Sequence, residues 1–337
     1  MNRLSHSSDS RGVTFELGTL VKLILILFTF FTTFYLSQFY TGGDQKVYTQ
    51  VYDEIRKLPF LEAFAYYFFY INSLDIFHFL FIWFLGPLVT KNLLMAFTNS
   101  FLSFVIIKLL DSWKVSLVIT SIILLTNFYL FVLYLAAERL KFGILFFLAS
   151  ILVLERRRIS LFVIFLSGAF LSHFQVAFLY AGRVLEGSLE RLKELFFRGN
   201  LTLGLIALLI LSIIFISGNF FQFFIFKIEA YDGESSIMGF LRLTIFFILA
   251  FYYSRYQPQS LVFFAPLFFA LFFIGQDRVN MIGYMFFLYY ALKYNRGMNL
   301  GIAVTSVYFF YKTIDFIFKI LTYGNGFYGS SQSNFPF

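Results

Sequence analysis

Long apolar runs recur along the chain from Leu17 to Tyr323, broken by brief polar or basic stretches. A membrane-crossing helix needs about 20 apolar residues. The runs at 17–40, 92–110, 115–136, 139–154, 200–217, 240–254, 259–275, 279–293 and 299–322 read as candidate spans. Residues 60–90 are apolar but interrupted by Asn72, Asp75 and Gly86-Pro87. They read either as two short helices dipping in and out, or as an interfacial helix plus one span. Residues 159–182 carry Ser167-Gly168 and Ser172-His173 in their middle and read as one span or a broken hairpin. The pattern predicts an all-α fold, a polytopic transmembrane helical bundle of about 10–12 membrane segments. It forms a single membrane domain over 1–337, with 1–16 a cytoplasmic tail, 41–59 a first outer loop, 218–239 a later one, and 323–337, rich in Gly, Ser and Asn, a flexible tail. No internal repeat is visible.

Composition excludes a soluble alternative. Apolar residues make up 60% of the chain and charged residues 13%, against about 25% charged in ordinary soluble domains. A soluble core stops growing near about 250–300 residues, so that much apolar surface has no water-soluble solution. Net charge is +8, from 26 basic and 18 acidic residues. The basic residues cluster between apolar runs, as cytoplasmic loops do, so they imply no nucleic acid. Lys108, Lys114, Arg156 to Arg158, Arg183, Arg191, Lys193, Arg198, Arg255, Lys293 and Arg296 read as cytoplasmic. Segments 41–59, 137–139, 218–239 and 276–278 then fall outside, and 159–182 must begin and end inside. That favours the broken hairpin, with His173 near its outer tip. Irregular backbone at membrane depth survives only in protein or beside a wet cavity, so an outer cavity is expected. Arg3 and Arg11 precede a run from Leu17 to Phe39 that is too long for a cleaved signal, which predicts an uncleaved first span with its amino end inside. With no cysteine, disulfides and thiolate metal sites are excluded. Three histidines, His6, His78 and His173, argue against a histidine-rich metal site, and no cofactor or metal is predicted.

Several residues carry candidate chemistry. After the Gly42-Gly43 turn, Asp44, Tyr48 and Tyr52 recur at four-residue steps and share one helix face. A carboxylate flanked by tyrosines suits a sugar, since the acid accepts hydroxyl hydrogen bonds and the rings cover apolar sugar faces. Asp44 also fits a plain helix cap. Glu138-Arg139-Leu140-Lys141 is squeezed between apolar runs. A charge inside a span costs about 2.5–3.5 kcal/mol, so it usually faces a cavity or partner. Arg139 suits a phosphate held by two parallel bonds, or else a turn with the arginine snorkelling to the interface. His173 is a packing residue or a base whose unperturbed pKa lies near neutrality. His78 lacks comparable polar neighbours in sequence. The later outer segments add Asp232, Glu234, Arg242, Asp277 and Arg278, and Asp277 beside Arg278 also reads as a local ion pair. Together these suit an anionic, hydroxyl-rich ligand arriving from the membrane, such as a sugar on a lipid diphosphate.

The order of these pieces resembles the EpsG-like branch of the Wzy-type polysaccharide polymerases, over residues 35–295. The family's Gly-x-Asp-x-x-x-Tyr loop is matched by Gly42 to Tyr48. Its Arg-Gln-x-x-Ala element is matched by Arg139-Leu140-Lys141-Phe142-Gly143, where leucine replaces glutamine and glycine replaces alanine. A basic cluster, Arg156 to Arg158, follows. The Phe-His-x-Ser-Ala element corresponds to Ser172-His173-Phe174-Gln175-Val176-Ala177, with the histidine kept, serine for phenylalanine, glutamine for serine, and the alanine one place later. Arg278 with Tyr284 is similar to a late arginine before an aromatic span, at longer spacing. The resemblance implies a glycosyltransferase-C-like architecture in the bacterial cytoplasmic membrane. It implies transfer of a growing glycan from one undecaprenyl diphosphate onto the next lipid-linked repeat unit on the outer face, with a chain-length regulator as a possible partner. It implies that Arg139, helped by Arg242 or Arg278, holds the diphosphate and that His173 or Asp44 removes the acceptor proton, Asp44 being read as sugar ligand and His173 as base. Tyr48, Tyr52, Arg242, Asp277 and Arg278 then contact substrate.

Three other functions compete. A flippase for the same lipids would show internal repeats and more spans. A sugar O-acyltransferase would also use one membrane histidine, but with a cytoplasmic acyl donor. A structural subunit would not need three outer arginines.

Overall fold

In a computed structural model, residues 9–73, 75–173, 176, 179, 237–255, 259–271 and 276–328 are described. The candidate span 200–217, Asp232, Glu234, Arg183, Arg191, Lys193, Arg198 and most of the segment 218–239 lie outside them. Every regular element among the described residues is helical. The chain forms two compact units, Met1–Val176 with Arg296–Phe337, and Ala177–Asn295.

Among the described residues, three helices are long and apolar enough to cross a membrane: α1 (Asp9–Ser37, apolar from Leu17), α5 (Lys91–Ser112) and α13 (Leu300–Tyr323). A fourth crossing arises if α6 (Leu117–Thr126) and α7 (Phe128–Leu135), which bend by 55°, count as one. The sequence predicts a single straight span over 115–136. Asn127 breaks it, because its side chain accepts from Leu130 N and restarts the helix. The bend strands the Thr126 carbonyl, which accepts from the Thr313 hydroxyl of α13 at 3.0 Å. The run 139–154 becomes α8 (Glu138–Glu155), and 159–182 begins as α9 (Ile159–Ser172).

The first unit is built on α1 against α5, α5 against α8, and α8 against α9. Lys22 of α1 pairs with Asp111 of α5 at 2.8 Å. Residues 60–90 form two short helices, α3 (Phe60–Ile71) and α4 (Ile76–Leu85). Before them lies the amphipathic α2 (Asp44–Ile55), which packs Tyr48, Val51, Tyr52 and Ile55 into a core with Tyr67, Phe79 and Phe142. The other end of the chain anchors this start. Gly324 ends α13 in the left-handed region, at φ 68°, and its carbonyl accepts from Thr41 N at 3.0 Å and Gly42 N at 2.8 Å. Gly324, read as part of a tail from composition, thus holds the turn that opens α2.

The second unit contains α10 (Ile237–Tyr253), α11 (Gln259–Ala270, with Pro266 inside it) and α12 (Gln276–Lys293). Gly283 lets α10 and α12 approach, since a Cβ there would stand 2.5 Å from Leu243 Cδ1. Basic residues occupy left-handed backbone just past three helix ends: Lys114 after α5, Arg157 after α8 and Arg255 after α10, all at φ 56–58°. Glycine ordinarily takes that position. A cation there complements the partial negative charge of the helix C-terminus.

Candidate functional site

The site lies in the first unit, where three helix ends meet. Asn72 closes α3 in the left-handed region, with its N–H on Phe68 O. Asp75 then opens α4 as N-cap, yet its carboxylate makes no capping bond. A capping bond is typically worth about 1 kcal/mol. The carboxylate serves other donors instead: the Ser73 hydroxyl at 2.8 Å and Arg139 Nη1 at 2.9 Å, both on Oδ2, with His173 Nδ1 at 3.3 Å from Oδ1. Arg139 stands in the first turn of α8, and its Nε donates to the Tyr48 hydroxyl of α2 at 2.9 Å. His173 ends α9 in an extended conformation, φ −168° and ψ 119°. Side-chain exposure is 7% for Asp75, 15% for Arg139 and 12% for His173, so this is a largely desolvated charge cluster.

Asp75 sits in the α3–α4 junction, outside the spanning helices. Burial opposes its charged form, but His173 and Arg139 outweigh that and hold the carboxyl well below the usual carboxylate range. It is therefore an anion at neutral pH. With Asp75 on Nδ1, the second ring nitrogen of a neutral His173, Nε2, is the one that carries the lone pair. Two of the guanidinium nitrogens of Arg139 are bonded, while Nη2 has no partner among the described residues.

A second set of buried polar groups lies beside the first. Glu138, next to Arg139, pairs with Lys91 of α5 at 3.2 Å. Lys91 also donates to Gln45 Oε1 at 2.7 Å and Thr49 Oγ1 at 3.1 Å, both on α2. Lys141, fully buried, donates to Tyr134 O at 3.0 Å. Glu138, Arg139 and Lys141 thus each point at a protein partner. The snorkelling turn considered from sequence does not form, because α8 starts at Glu138 and carries these charges inward. His78 is not the isolated residue its sequence neighbours imply. Its Nδ1 lies 2.8 Å from the Tyr67 hydroxyl, and Nε2 is buried without a hydrogen-bond partner among the described residues.

The structure brings Tyr48, Arg139 and His173 together and adds Asp75 as their common neighbour. Asp44 takes another place. It is exposed on the first turn of α2, follows the N-cap Gly43, and makes no hydrogen bond or ion pair with that cluster. Tyr48 and Tyr52 are 5% and 4% exposed. Tyr48 braces Arg139, while Tyr52 packs beside His78 and reaches Met95 Sδ at 3.9 Å, so neither ring offers an open sugar-binding face. In the second unit, Asp277 pairs with Arg242 at 3.1 Å. Asp277 therefore has an arginine partner on another helix, beyond its sequence neighbour. Arg278 lies on the first turn of α12.

No family model, curated protein or solved structure matches this chain. The functional reading therefore rests on the residues themselves.

Sequence reasoning missed Asp75, which reads locally as an interruption of an apolar stretch. The signal was present, since a carboxylate between two apolar runs is expensive unless a cation faces it.

Proposed function

We propose that the chain is a membrane glycosyltransferase that polymerises oligosaccharide repeat units carried on a lipid diphosphate, at the outer face of a bacterial cytoplasmic membrane. The observation that supports this most is the triad around Asp75: one carboxylate engages a guanidinium through one oxygen and an imidazole through the other. Anion stabiliser and base are thereby fixed side by side. In the reaction the acceptor hydroxyl oxygen attacks the anomeric carbon of the donor. The bond from that carbon to the diphosphate oxygen breaks, and its electron pair leaves with the diphosphate. His173 takes the hydroxyl proton, and Asp75 stabilises the imidazolium that forms. Arg139 faces the charge that grows on the diphosphate; one such fixed donor is worth about 3–4 kcal/mol in a site with little water. A positioned base adds about 10²–10⁴ in rate. Asp44, exposed on the first turn of α2, is a further candidate for a sugar hydroxyl.

The same histidine–carboxylate pair suits acyl transfer, and the surface glycan of a deletion strain separates the readings. One capped repeat unit in place of a ladder supports polymerisation. A full ladder lacking acyl groups supports an acyltransferase, and no glycan at all supports a flippase.

A further inference from the structure

Lys91 opens α5, and its ammonium has four oxygens within 3.2 Å. Three belong to α2: Gln45 Oε1 at 2.7 Å, Thr49 Oγ1 at 3.1 Å and Gln45 O at 3.2 Å. The fourth is Glu138 Oε1, on the first turn of α8, at 3.2 Å. An ammonium has only three N–H groups, so every donor of Lys91 is committed. Its shortest bond goes to α2 rather than to the carboxylate. Gln45 adds a bond of its own, from Nε2 to Ala136 O just before α8, at 3.4 Å.

We propose that Lys91 is the positioning residue of the site around Asp75: it holds α2 against the start of α8, so that the Tyr48 hydroxyl meets Arg139 Nε. The proposal rests on the reading of Arg139 as the group that faces the diphosphate. Helix geometry is the first argument. Gln45, Tyr48, Thr49 and Tyr52 lie at i, i+3, i+4 and i+7 and share one face of α2. The residues that Lys91 grips thus flank the tyrosine that bonds Arg139. The Tyr48 ring centroid lies 5.8 Å from Lys91 Nζ and 6.0 Å from Arg139 Cζ, so one ring links the two cations. The weakness of α2 on its own is the second argument. It has 12 residues, and its N-cap Gly43 makes no side-chain capping bond. Helices shorter than about 12–15 residues are marginal alone, so the place of α2 is set by what it bonds. The split hold on Arg139 is the third argument. Asp75 takes Nη1 and Tyr48 takes Nε, so a shift of α2 frees one side of the guanidinium and leaves the other tied. The simpler role for Lys91, neutralising Glu138, uses one of its four oxygens and accounts for none of the three on α2.

The test is a double-mutant cycle on the full-length protein. One limb joins Lys91→Met to Glu138→Leu, which leaves no buried charge unpaired. The other is Tyr48→Phe, which removes only the hydroxyl and leaves the ring beneath Lys91. Thermal midpoints are measured on purified protein. Rates of polymer formation are measured in membranes of the deletion strain at equal protein level, with the strain's own lipid-linked repeat unit as substrate. Each limb alone should slow polymer formation by about 5–30-fold, the loss of one hydrogen bond to a charged group. Tyr48→Phe should lower the midpoint in wild type. Added to the Lys91/Glu138 limb, it should leave the midpoint nearly unchanged and slow the rate less than about twofold further, because both limbs remove the same link. Gln45→Met keeps the buried ion pair and removes the shortest bond to α2. It should show the same non-additivity and carries the comparison if the Lys91/Glu138 limb does not fold. Additive midpoints overturn the proposal whatever the protein catalyses. So does a wild-type rate from the Lys91/Glu138 limb when Arg139→Lys is inactive. A wild-type rate from Arg139→Lys itself defeats the polymerase reading instead, and non-additive midpoints then still support the link from Lys91 to Tyr48.

Discussion

Asp75 and His173 are 98 residues apart in sequence, and their side chains meet at 3.3 Å. The contact joins the start of α4 to the end of α9, two places where the helical ladder stops. Arg139 completes it from the start of α8. Charges this costly to bury persist only when they satisfy each other, and Asp75 and Arg139 are paired within the cluster, with His173 hydrogen-bonded to the same carboxylate.

Asp75→Asn removes the anion while keeping the shape. Arg139 is then left largely buried and uncompensated, a change that costs about 3–5 kcal/mol for buried pairs. The variant should unfold at lower temperature than wild type and lose its ladder. Adding Arg139→Gln to Asp75→Asn should recover part of the stability and none of the activity. Melting curves of the purified single and double variants check this.

Arg139→Lys keeps the charge and loses the fork. A lysine cannot bond both Tyr48 and Asp75 in the observed geometry, so activity should fall by about 10²–10³. Tyr48→Phe removes one brace and should cost less, about 1–2 kcal/mol. Ladder length at matched expression ranks the two.

Gly143 faces the histidine end of α9. A Cβ there would stand 2.4 Å from Val176 Cγ2 and 3.2 Å from His173 Cβ. Gly143→Ala should therefore displace His173, at a stability cost of about 1–3 kcal/mol, and shorten the glycan more than Gly168→Ala does. A Cβ at Gly168 would meet the ring of Phe146 at 3.3 Å, away from the cluster.

The Lys91–Glu138 pair is 10% and 2% exposed. Lys91→Met leaves a buried carboxylate alone and should cost about 3–5 kcal/mol, whereas Lys91→Met with Glu138→Leu should be close to neutral. A double-mutant cycle on thermal stability reads the coupling.

The basic clusters predict sidedness. Asp44→Cys should label with an impermeant thiol reagent in intact spheroplasts and Arg157→Cys should not. The reverse result inverts the topology on which the outer-face reading depends.

Helical character was legible because lipid forces apolar runs into helices and leaves few alternatives. Helix breaks were less so. Asn127 carries one polar group in a long apolar run, and period alone does not distinguish a cap from a tolerated side chain. Arg139 was legible within a short charged run between apolar stretches, and His173 as a polar residue inside an apolar one. Tyr48 was legible through its spacing from Asp44, but in another role. The helix turns the tyrosine inward to the guanidinium and leaves Asp44 in solvent. Asp75 was hidden because its partners lie 64 and 98 residues away, and no local pattern encodes such a meeting.

The most direct test complements a deletion strain with wild type, His173→Ala or Arg139→Lys, each shown to reach the membrane at equal level, and resolves the surface glycan by gel. The account predicts a full ladder from wild type and a single capped repeat unit from either variant. A wild-type ladder from both variants would contradict it.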